Sequence, residues 1–365
     1  MELFEVLEDC PVDEVIGKHL TIAYSKINNP AYEKIVCTIS GGADSDIILD
    51  ICTKCDKDKK IEYVWFDTGL EYKATKDHLK YLEDKYSIEI KPYKAIKPIP
   101  ISCREYGQPF ISKTVSNNIK RLQSHGFKWE DEPFQVLLER YCKWNPKKQD
   151  WIGCKSALRW WCSAWGIDSQ LNITRNKWLK EFLVSNPPEE FGIKISDECC
   201  EYAKKDIVHK LISENNYDLN INGIRKAEGG ARSTRYTSCF DENEDECDTY
   251  RPVFFYKTKN KEVYQAHYNI CNSKCYTVYG LKRTGCAGCP FGRDFEFELE
   301  TIKKHEPKLY VAVNSIFAQS YAYTRLYREF YAEMQEANKK EVSDQIPGQM
   351  EFEDYPGFIP ESIVN

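Results

Sequence analysis

The chain has 365 residues, of which 42% are hydrophobic, and carries a formal net charge of −6 at pH 7. This length predicts one large domain with additions, or two domains. The acidic balance gives no global electrostatic case for nucleic-acid binding, and no apolar stretch approaches the roughly 20 residues that a membrane span needs.

The first five residues lack the basic and then apolar pattern of an export signal. We therefore expect a cytoplasmic protein without a membrane partner. Sixteen cysteines are many for such a chain, and in a reducing compartment they favour metal or catalytic roles over disulfides. Because single cysteines are commonly small buried hydrophobes, only clusters of them indicate ligands.

The first hundred residues alternate between predicted helices and strands. A helical lead-in over 1–30 is followed by a strand at Ile35–Ile39, a helix at 44–54, a strand at 61–66, a helix at 72–86 and a short strand at 88–92. This alternation predicts a parallel sheet with right-handed crossovers. We therefore predict an α/β fold with a Rossmann-like, doubly wound parallel sheet, an inserted region and a C-terminal helical extension.

The later part of the chain adds to this sheet. Residues from about 100 to 190 are rich in Trp and Lys, and we interpret them as an insertion that covers the site or binds a partner. Further predictions are a core strand at 220–225, an acidic loop at 239–248 and two amphipathic helical segments at 298–337. The predicted domains are a lead-in (1–30), a nucleotide-binding α/β domain (31–290), a helical region (291–342) and a tail (343–365).

Between the first predicted strand and helix stands a glycine turn that reads Ser40-Gly41-Gly42-Ala43-Asp44-Ser45-Asp46. Paired glycines let the main chain approach a phosphate, and the first turn of the helix adds unpaired N–H groups and a partial positive charge. We predict nucleotide contacts from five residues of this turn: Ser40, Gly41, Gly42, Asp44 and Ser45. Asp44 can orient the loop or hold Mg²⁺ through water. The alternative is a plain turn.

Two acidic positions near this turn allow two interpretations each. Asp46 repels a phosphate unless a cation lies between them, or it interacts with the dipole of the helix N-terminus. Asp67-Thr68-Gly69 follows the second predicted strand. These residues can contact a ribose hydroxyl or the adenine edge, or form a helix N-cap.

Two arginines follow the later core strand, in the string Gly223-Ile224-Arg225-x-x-Glu228-x-x-x-Arg232. The guanidinium groups of Arg225 and Arg232 can clamp phosphate or sulfonate oxygens bidentately. We predict these two residues, together with Asp44, as catalytic. The alternative is a surface pair between arginine and Glu228.

Two cysteine pairs predict a metal centre. Cys199 and Cys200 are adjacent, and Cys286 and Cys289 form a CxxC. Four soft thiolates suit zinc or an iron–sulfur cluster. Adjacent cysteines fit poorly around one tetrahedral zinc but can reach different irons of a 4Fe–4S cluster, which we therefore prefer. An unmetallated redox dithiol is a third possibility. The pair Lys204-Lys205 either lies near such a cluster or forms a solvated helix face.

These motifs resemble the phosphoadenosine phosphosulfate (PAPS) reductase family of the adenine nucleotide alpha-hydrolase (PP-loop ATP pyrophosphatase) superfamily. The resemblance runs from about residue 34 to about 291 and is carried by residues 40–45, 66–71, 195–200, 223–225 and 283–289. In adenylyl-sulfate reductases that carry a cluster, a Cys-Cys pair and a later CxxC bind 4Fe–4S. The resemblance thus implies the same ligand set here: Cys199, Cys200, Cys286 and Cys289.

The chain departs from the sulfonucleotide reductases in two ways. Those enzymes carry a catalytic cysteine in a C-terminal Glu-Cys-Gly-Leu-His motif, whereas this sequence has no cysteine after Cys289, so formation of a thiosulfonate lacks its nucleophile. The intact SGGxDS loop also suits pyrophosphate, which ATP has and adenylyl sulfate lacks. Both departures favour ATP-dependent chemistry, although Ala43 stands where family loops often carry Lys.

We therefore hypothesise an ATP-dependent iron–sulfur sulfurtransferase-type enzyme, which adenylates an oxygen of its substrate, releases pyrophosphate and lets a sulfur species displace AMP. The expected cofactors are ATP, Mg²⁺ and a 4Fe–4S cluster, with zinc as the alternative to the cluster. Relatives with this outline act in DNA phosphorothioation and tRNA thiolation. The expected partners are thus a nucleic-acid substrate, a sulfur donor such as a cysteine desulfurase, and a second copy of the chain in a homodimer.

Two other functions stay open at this point. One is a true sulfonucleotide reductase that uses Cys154 or Cys162 as its nucleophile and thioredoxin as its reductant; these two cysteines are also candidate substitute ligands or sulfur carriers. The other is a non-catalytic nucleotide-binding protein whose metal is structural zinc.

Overall fold

The computed structural model describes residues 1–166, 169–229, 236–243 and 247–345. The chain separates into two compact units. We call the first, Met1–Lys120 with Ile193–Ser320, the sheet unit, and the second, Arg121–Gly192 with Tyr321–Asn365, the tryptophan unit. The domain boundaries given above stay a prediction, and the predicted tail from residue 346 onward lies outside the described residues.

The strands, in chain order, are β1 (Ile35–Ile39), β2 (Ile61–Asp67), β3 (Ile90–Lys94), β4 (Cys142–Asn145), β5 (Asp150–Gly153), β6 (Leu219–Ile221), β7 (Phe240–Asp241) and β8 (Asp248–Tyr250). The main sheet of the described residues has the order β3-β2-β1-β6-β8-β7. Its neighbours pair in parallel, except that β7 is antiparallel to β8. Along the chain, β2 and β3 are therefore added on one side of β1 first, and β6, β8 and β7 are added later on the other side of β1.

The helices of the described residues, in chain order, are α1 (Leu3–Glu8), α2 (Glu14–Ile27), α3 (Ala43–Cys55), α4 (Lys73–Tyr86), α5 (Ile99–Tyr106), α6 (Lys113–Ser124), α7 (Phe134–Tyr141), α8 (Lys155–Trp161), α9 (Leu179–Ser185), α10 (Glu198–Cys200), α11 (Asp206–Asn215), α12 (Thr258–His267), α13 (Lys274–Thr277), α14 (Phe295–His305) and α15 (Pro307–Gln345). A π-helical turn, Glu201–Lys205, joins α10 to α11. α15 bends at Phe317, where the backbone departs from helical angles.

The central strands bury side chains on both faces of the sheet. On one face Ile35 and Cys37 of β1 join a core with residues of α2, α3 and α4. On the other face Val36 joins a second core with Val64 of β2 and Leu211 of α11. Apolar strands covered on both faces are what a parallel sheet between helical layers requires. The predicted α/β, doubly wound fold is therefore confirmed.

Some predicted boundaries are wrong. The later core strand ends at Ile221 rather than at Arg225, because the N–H of Arg225 donates to the carboxylate of Glu228 and the chain turns out of the sheet. β3 begins later than predicted, because Ser87, with a φ of 52°, closes α4 in a left-handed conformation. The predicted acidic loop contains β7, paired with β8. The other predicted strands and helices of the first hundred residues are present.

The tryptophan unit has its own core. Trp161 is fully buried, and its ring contacts Phe127 and Trp129 at centroid distances of 5.3 and 5.7 Å. β4 and β5 form an antiparallel hairpin within this unit.

Along the described residues, no helix is both long enough and apolar enough to cross a membrane.

Asp50 of α3, which is 4% exposed, joins three helices of the sheet unit. Its carboxylate accepts hydrogen bonds from Tyr86 of α4 (3.0 Å), Tyr264 of α12 (2.8 Å) and Lys54 (2.6 Å). Asp50→Ala leaves these donors without their acceptor in the interior, so we expect the free energy of unfolding to fall by about 3 kcal/mol. Tyr264→Phe removes one donor and should cost about 1 kcal/mol. Urea denaturation measures both changes.

Lys210→Ala is the matched control. Lys210 lies on α11 with its Nζ 3.8 Å from the carboxylate of Glu214, and both side chains are exposed. Such a surface pair contributes little, so this variant should stay within about 0.5 kcal/mol of the parent. An Asp50→Ala protein as stable as Lys210→Ala would show that the carboxylate does not hold the helices together.

Candidate functional site

The glycine turn between β1 and α3 is tightly enclosed. Gly41 has a φ of 66°, and a Cβ atom there would lie 2.9 Å from Cγ2 of Thr75. A Cβ atom on Gly42 would lie 3.2 Å from the hydroxyl of Thr284 and 3.4 Å from that of Tyr276. Both positions therefore require glycine, the first for its backbone angle and close neighbour, the second for space.

Hydrogen bonds hold the shape of this turn. The N–H of Ser40 donates to the hydroxyl of Ser45 (2.8 Å), and the N–H of Asp46 donates to the carbonyl of Gly42 (3.0 Å). The N–H of Ala43, in the first turn of α3, donates to the hydroxyl of Tyr276 (3.3 Å). Ser45 thus stabilises the loop. The Tyr276 hydroxyl accepts a hydrogen bond from an N–H group at a helix N-terminus, where such groups bind phosphate oxygens.

Asp44 lies between two cations. Its Oδ2 atom is 2.8 Å from Nε of Arg225, and its Oδ1 atom is 2.8 Å from Nζ of Lys261 on α12. These are contacts between charges, without the alignment of a hydrogen bond. Nη1 of the buried Arg225 also donates to the carbonyl of Tyr256 (3.3 Å). The structure therefore places Arg225 on Asp44 and adds Lys261, which the sequence did not single out. Arg232 lies outside the described residues.

Asp46 has a partner that neither interpretation of the sequence included. Its side chain is fully buried, and its Oδ2 atom lies 2.9 Å from Nε2 of His78 on α4. Burial raises the pKa of the Asp46 carboxyl, while His78 opposes that shift. No spacing in the sequence could connect a helix-start aspartate with a histidine one helix later, because only the packing of α3 against α4 brings them together.

Asp67-Thr68-Gly69 lies at the end of β2, and its two side chains make different contacts. Oδ1 of Asp67 accepts a hydrogen bond from the N–H of Gly69 (2.9 Å), which closes a tight turn. Thr68 is buried, donates its hydroxyl hydrogen to Glu71 (2.6 Å) and also interacts with the thiol of Cys286. Thr68 therefore lies beside the cysteines, and its predicted role in nucleotide binding stays a prediction.

The four predicted metal-binding cysteines come from two parts of the sheet unit and interact with one another. The free thiols of Cys199 and Cys200 are hydrogen-bonded to each other, and Cys289 interacts with both Cys200 and Cys286. A fifth free thiol, Cys103 of α5, is hydrogen-bonded to Cys199, and the sequence had not indicated it. No three His, Cys, Asp or Glu side chains of the described residues are grouped as a single metal ion would require.

The turn that carries the CxxC is pinned from two sides. The N–H of Ala287 donates to the carbonyl of Leu70 (2.9 Å), and the N–H of Gly288 donates to the carboxylate of Glu298 (3.0 Å). Glu298 also accepts a hydrogen bond from Tyr72, and burial raises the pKa of its carboxyl. These contacts orient the thiols from outside, as supporting residues around a metal centre do.

Lys204 supplies a positive charge to the thiols. Its side chain is exposed, although neighbouring atoms crowd it closely enough for desolvation to oppose its charge. The Cys286 thiol, with Glu71, Cys200 and Cys289, nevertheless raises the pKa of Lys204, so the ammonium stays charged beside the sulfur atoms.

Cys154 and Cys162 belong to the tryptophan unit. Sγ of the fully buried Cys154 lies 4.0 Å from Sγ of Cys142, and burial raises the pKa of the Cys154 thiol to about 12. Burial also raises the pKa of Cys162. Neither thiol has the lowered pKa that a nucleophilic cysteine needs.

Several solved structures are similar to the chain at low identity. They include phosphoadenylyl-sulfate (PAPS) reductase from Candida auris in a phosphate complex, with 12% identity, 73% of this chain and 87% of that chain covered, and a TM-score of 0.38. U34-tRNA thiolase NcsA from Methanococcus maripaludis with its 4Fe-4S cluster has 12% identity, coverage of 85% and 78%, and a TM-score of 0.34. FMN adenylyltransferase from Candida glabrata with FMN and the ATP analog AMPCPP has 12% identity, coverage of 85% and 87%, and a TM-score of 0.38. Likenesses at this level say nothing about activity.

A search of the curated proteins finds no match. Residues 34–133, however, match the phosphoadenosine phosphosulfate reductase domain. The matched residues include β1, the glycine turn, β2 and Asp67-Thr68-Gly69, and they end before the four predicted cluster cysteines. Over residues 34–133, the chain therefore carries a domain of the phosphoadenosine phosphosulfate reductase family.

Proposed function

We propose that the chain is an ATP-dependent sulfur-transfer enzyme, which activates its substrate by adenylation at the glycine turn and holds a 4Fe–4S cluster on Cys199, Cys200, Cys286 and Cys289. One observation carries this proposal. The hydroxyl of Tyr276 accepts hydrogen bonds from the N–H groups of both Ala43 and Thr284, and Thr284 precedes Cys286 by two residues. One short segment therefore contacts the glycine turn and carries half of the thiols.

The glycine turn supports nucleotide binding through its backbone. A phosphate oxygen that replaces the Tyr276 hydroxyl would accept the N–H of Ala43, in the first turn of α3 where the helix dipole favours an anion. Arg225 and Lys261 balance the charge of Asp44, so that this carboxylate repels the phosphates less. Asp44 fits Mg²⁺ poorly because each of its oxygens already contacts a cation, and we assign no step to it as a metal ligand.

The proposed chemistry has two displacements. An oxygen of the substrate attacks the α-phosphorus of ATP, the bond to the bridging oxygen breaks, and pyrophosphate leaves with the electron pair. Hydrosulfide then attacks the activated carbon, the carbon–oxygen bond breaks, and AMP leaves. If the donor is a cysteine desulfurase, its persulfide first gives up hydrosulfide to a dithiol reductant, which becomes a disulfide. No net oxidation occurs when sulfur arrives as hydrosulfide. N–H groups of the turn stabilise the charge that develops on the leaving pyrophosphate.

The thiols fit an iron–sulfur cluster by their chemistry and by their surroundings. Soft sulfur donors suit iron, and the charged Lys204 beside the thiols offsets the negative charge that four thiolates around a 4Fe–4S core retain. When bound, the cluster would supply an iron atom that binds sulfide once one of the four thiolates is displaced from it. Zinc is the alternative occupant and would be structural.

A sulfonucleotide reductase is the competing function. It requires a nucleophilic thiolate, but the pKa values of Cys154 and Cys162 are raised by burial. Purified protein incubated with ATP, sulfide and a mixture of nucleic acids should release pyrophosphate and AMP. Sulfite release from PAPS or adenylyl sulfate in the presence of thioredoxin, with no pyrophosphate from ATP, would overturn our proposal.

Gly42→Ala tests the nucleotide site. The added methyl group would lie 3.2 Å from the hydroxyls of both Ser40 and Thr284, and it would stand where a phosphate must approach the backbone. We expect ATP binding to weaken by about tenfold or more, as measured by isothermal titration calorimetry, while the circular dichroism spectrum stays unchanged.

Gly17→Ala is its control. Gly17 lies within α2, and a Cβ atom there meets Cys10 only at 3.8 Å, an ordinary contact. This variant should bind ATP as the parent does and be slightly more stable, because alanine is the better helix former. Equal ATP affinity in Gly42→Ala and Gly17→Ala would mean that the turn does not hold the phosphates.

Cys286→Ala tests the cluster. Anaerobically purified parent protein should contain about four iron and four sulfide per chain and absorb broadly in the visible range. Loss of one ligand should reduce both contents strongly, because a soft thiolate binds iron far better than the neighbouring Glu71 carboxylate would. Cys271→Ala, at an exposed cysteine outside this group, should keep the parent's content. Colourless parent protein with one zinc would contradict the cluster assignment.

A further inference from the structure

The structure buries some tryptophans of the insertion and exposes others, while Trp151 and Trp178 are half-buried. Trp129, Trp160 and Trp161 are at most 3% exposed and form the core of the tryptophan unit. Trp144 and Trp165 are 52% and 37% exposed. Exposed tryptophan is costly to leave in water and commonly marks a binding surface. The two exposed rings therefore need an explanation that core packing does not provide.

Trp144 belongs to a hairpin that projects into solvent on both faces. It pairs across the strands with Trp151, and the two rings meet edge to face with a centroid distance of 5.7 Å and an interplanar angle of 70°. The opposite face carries Lys143, which is exposed, and Ile152, which is 45% exposed. We call the segment 142–153 the tryptophan hairpin.

The tip of the hairpin is basic and ordered. Oδ1 of Asn145 accepts hydrogen bonds from the N–H groups of Lys147 (3.0 Å) and Lys148 (3.2 Å), which fixes the turn that presents these exposed lysines. Lys143, Lys147 and Lys148 have no carboxylate within ion-pair distance among the residues that the structure describes. The positive charge of the tip is therefore available to a partner.

The charge around the hairpin opposes that of the whole chain. Residues 142–159 contain five lysines and arginines and one acidic residue, whereas the chain as a whole has a net charge of −6. The acidic residue, Asp150, is paired with Lys155 of α8, and that hydrogen bond lowers its pKa. One turn further along α8, the guanidinium of Arg159 lies 5.0 Å from the ring of Trp165. Cations and exposed aromatic rings thus share one region of the tryptophan unit.

We propose that the tryptophan hairpin binds single-stranded nucleic acid, whose unpaired bases stack on Trp144 and Trp151 while its phosphates contact Lys147 and Lys148 at the tip. Aromatic rings between lysines bind single strands in this manner, since each base offers a flat face and each phosphate a negative charge. A duplex hides those faces within its own stack. The hairpin therefore prefers single strands, and this binding requires neither ATP nor a cluster.

Fluorescence anisotropy with the full-length protein and labelled DNA and RNA oligonucleotides of mixed sequence, about 12 nucleotides long, tests the proposal. The parent should bind single strands more tightly than the matching duplex. Trp144→Ala should weaken binding by about tenfold, whereas Trp144→Phe should keep most of it. The double variant Lys147→Ala with Lys148→Ala should make the association constant less dependent on salt. The negative slope of log K against log salt concentration should become shallower by about 1.4. Binding of single-stranded DNA or of single-stranded RNA supports the proposal, and the nucleic acid that binds more tightly is identified as the natural ligand.

The double variant Lys303→Ala with Lys304→Ala is the matched control. It makes the same change in charge at two adjacent exposed lysines of α14, in the sheet unit. This control should bind like the parent. Affinity that falls equally in both double variants, or that Trp144→Ala leaves unchanged, would overturn the proposal. Displacement of the oligonucleotide by an acidic peptide at the same concentration of negative charge would also overturn it. That result would show that the hairpin attracts negative charge without stacking bases. Because ATP is absent throughout, failure here leaves the proposed enzymatic function untouched.

Discussion

The pairing of β1 with β2 on one side and β6 on the other is the constraint on which the site depends. Both pairings are parallel, so the segments that follow β1 and β6 leave the same edge of the sheet beside each other, where ligands of such sheets bind. Gly223 shows how closely they pass, because a Cβ atom there would lie 3.5 Å from the backbone of Asp44. This proximity lets Arg225 reach Asp44. The strand order therefore determines which charges surround the glycine turn.

The segment from Tyr276 to Cys289 connects the two chemistries of the sheet unit. At its start the hydroxyl of Tyr276 accepts a hydrogen bond from an N–H group of the glycine turn. At its end, hydrogen bonds to Leu70 and Glu298 hold the CxxC in place. Leu70 follows directly on Asp67-Thr68-Gly69, so the loop after β2 positions the thiols as well. A phosphate that displaces Tyr276 would thus act on a segment that also carries two of the proposed cluster ligands. This connection is consistent with the proposal that activation and sulfur delivery occur at neighbouring sites.

The cysteines and tryptophans show why residue type alone does not define a role. Cys52 of α3 is fully buried in the core and Cys271 is exposed, whereas the thiols of Cys200, Cys286 and Cys289 interact with Lys204. Trp161 and Trp144 likewise come from one Trp-rich segment, yet one is enclosed and the other stands in water. Burial and the neighbouring charges separate these cases, and both depend on contacts between distant parts of the chain.

The sequence by itself determined the α/β fold, the glycine turn and the two cysteine pairs, because each depends on residues close together in the chain. Alternation of strand and helix predicts a parallel sheet, and consecutive glycines or a CxxC form a turn with little help from elsewhere. Only the tertiary structure decided that Asp46 meets His78, that Lys261 joins Arg225 on Asp44, and that Cys103 lies with the thiols. Those partners come from separate helices, whose contacts depend on how the whole sheet packs and leave no periodic signal in the sequence.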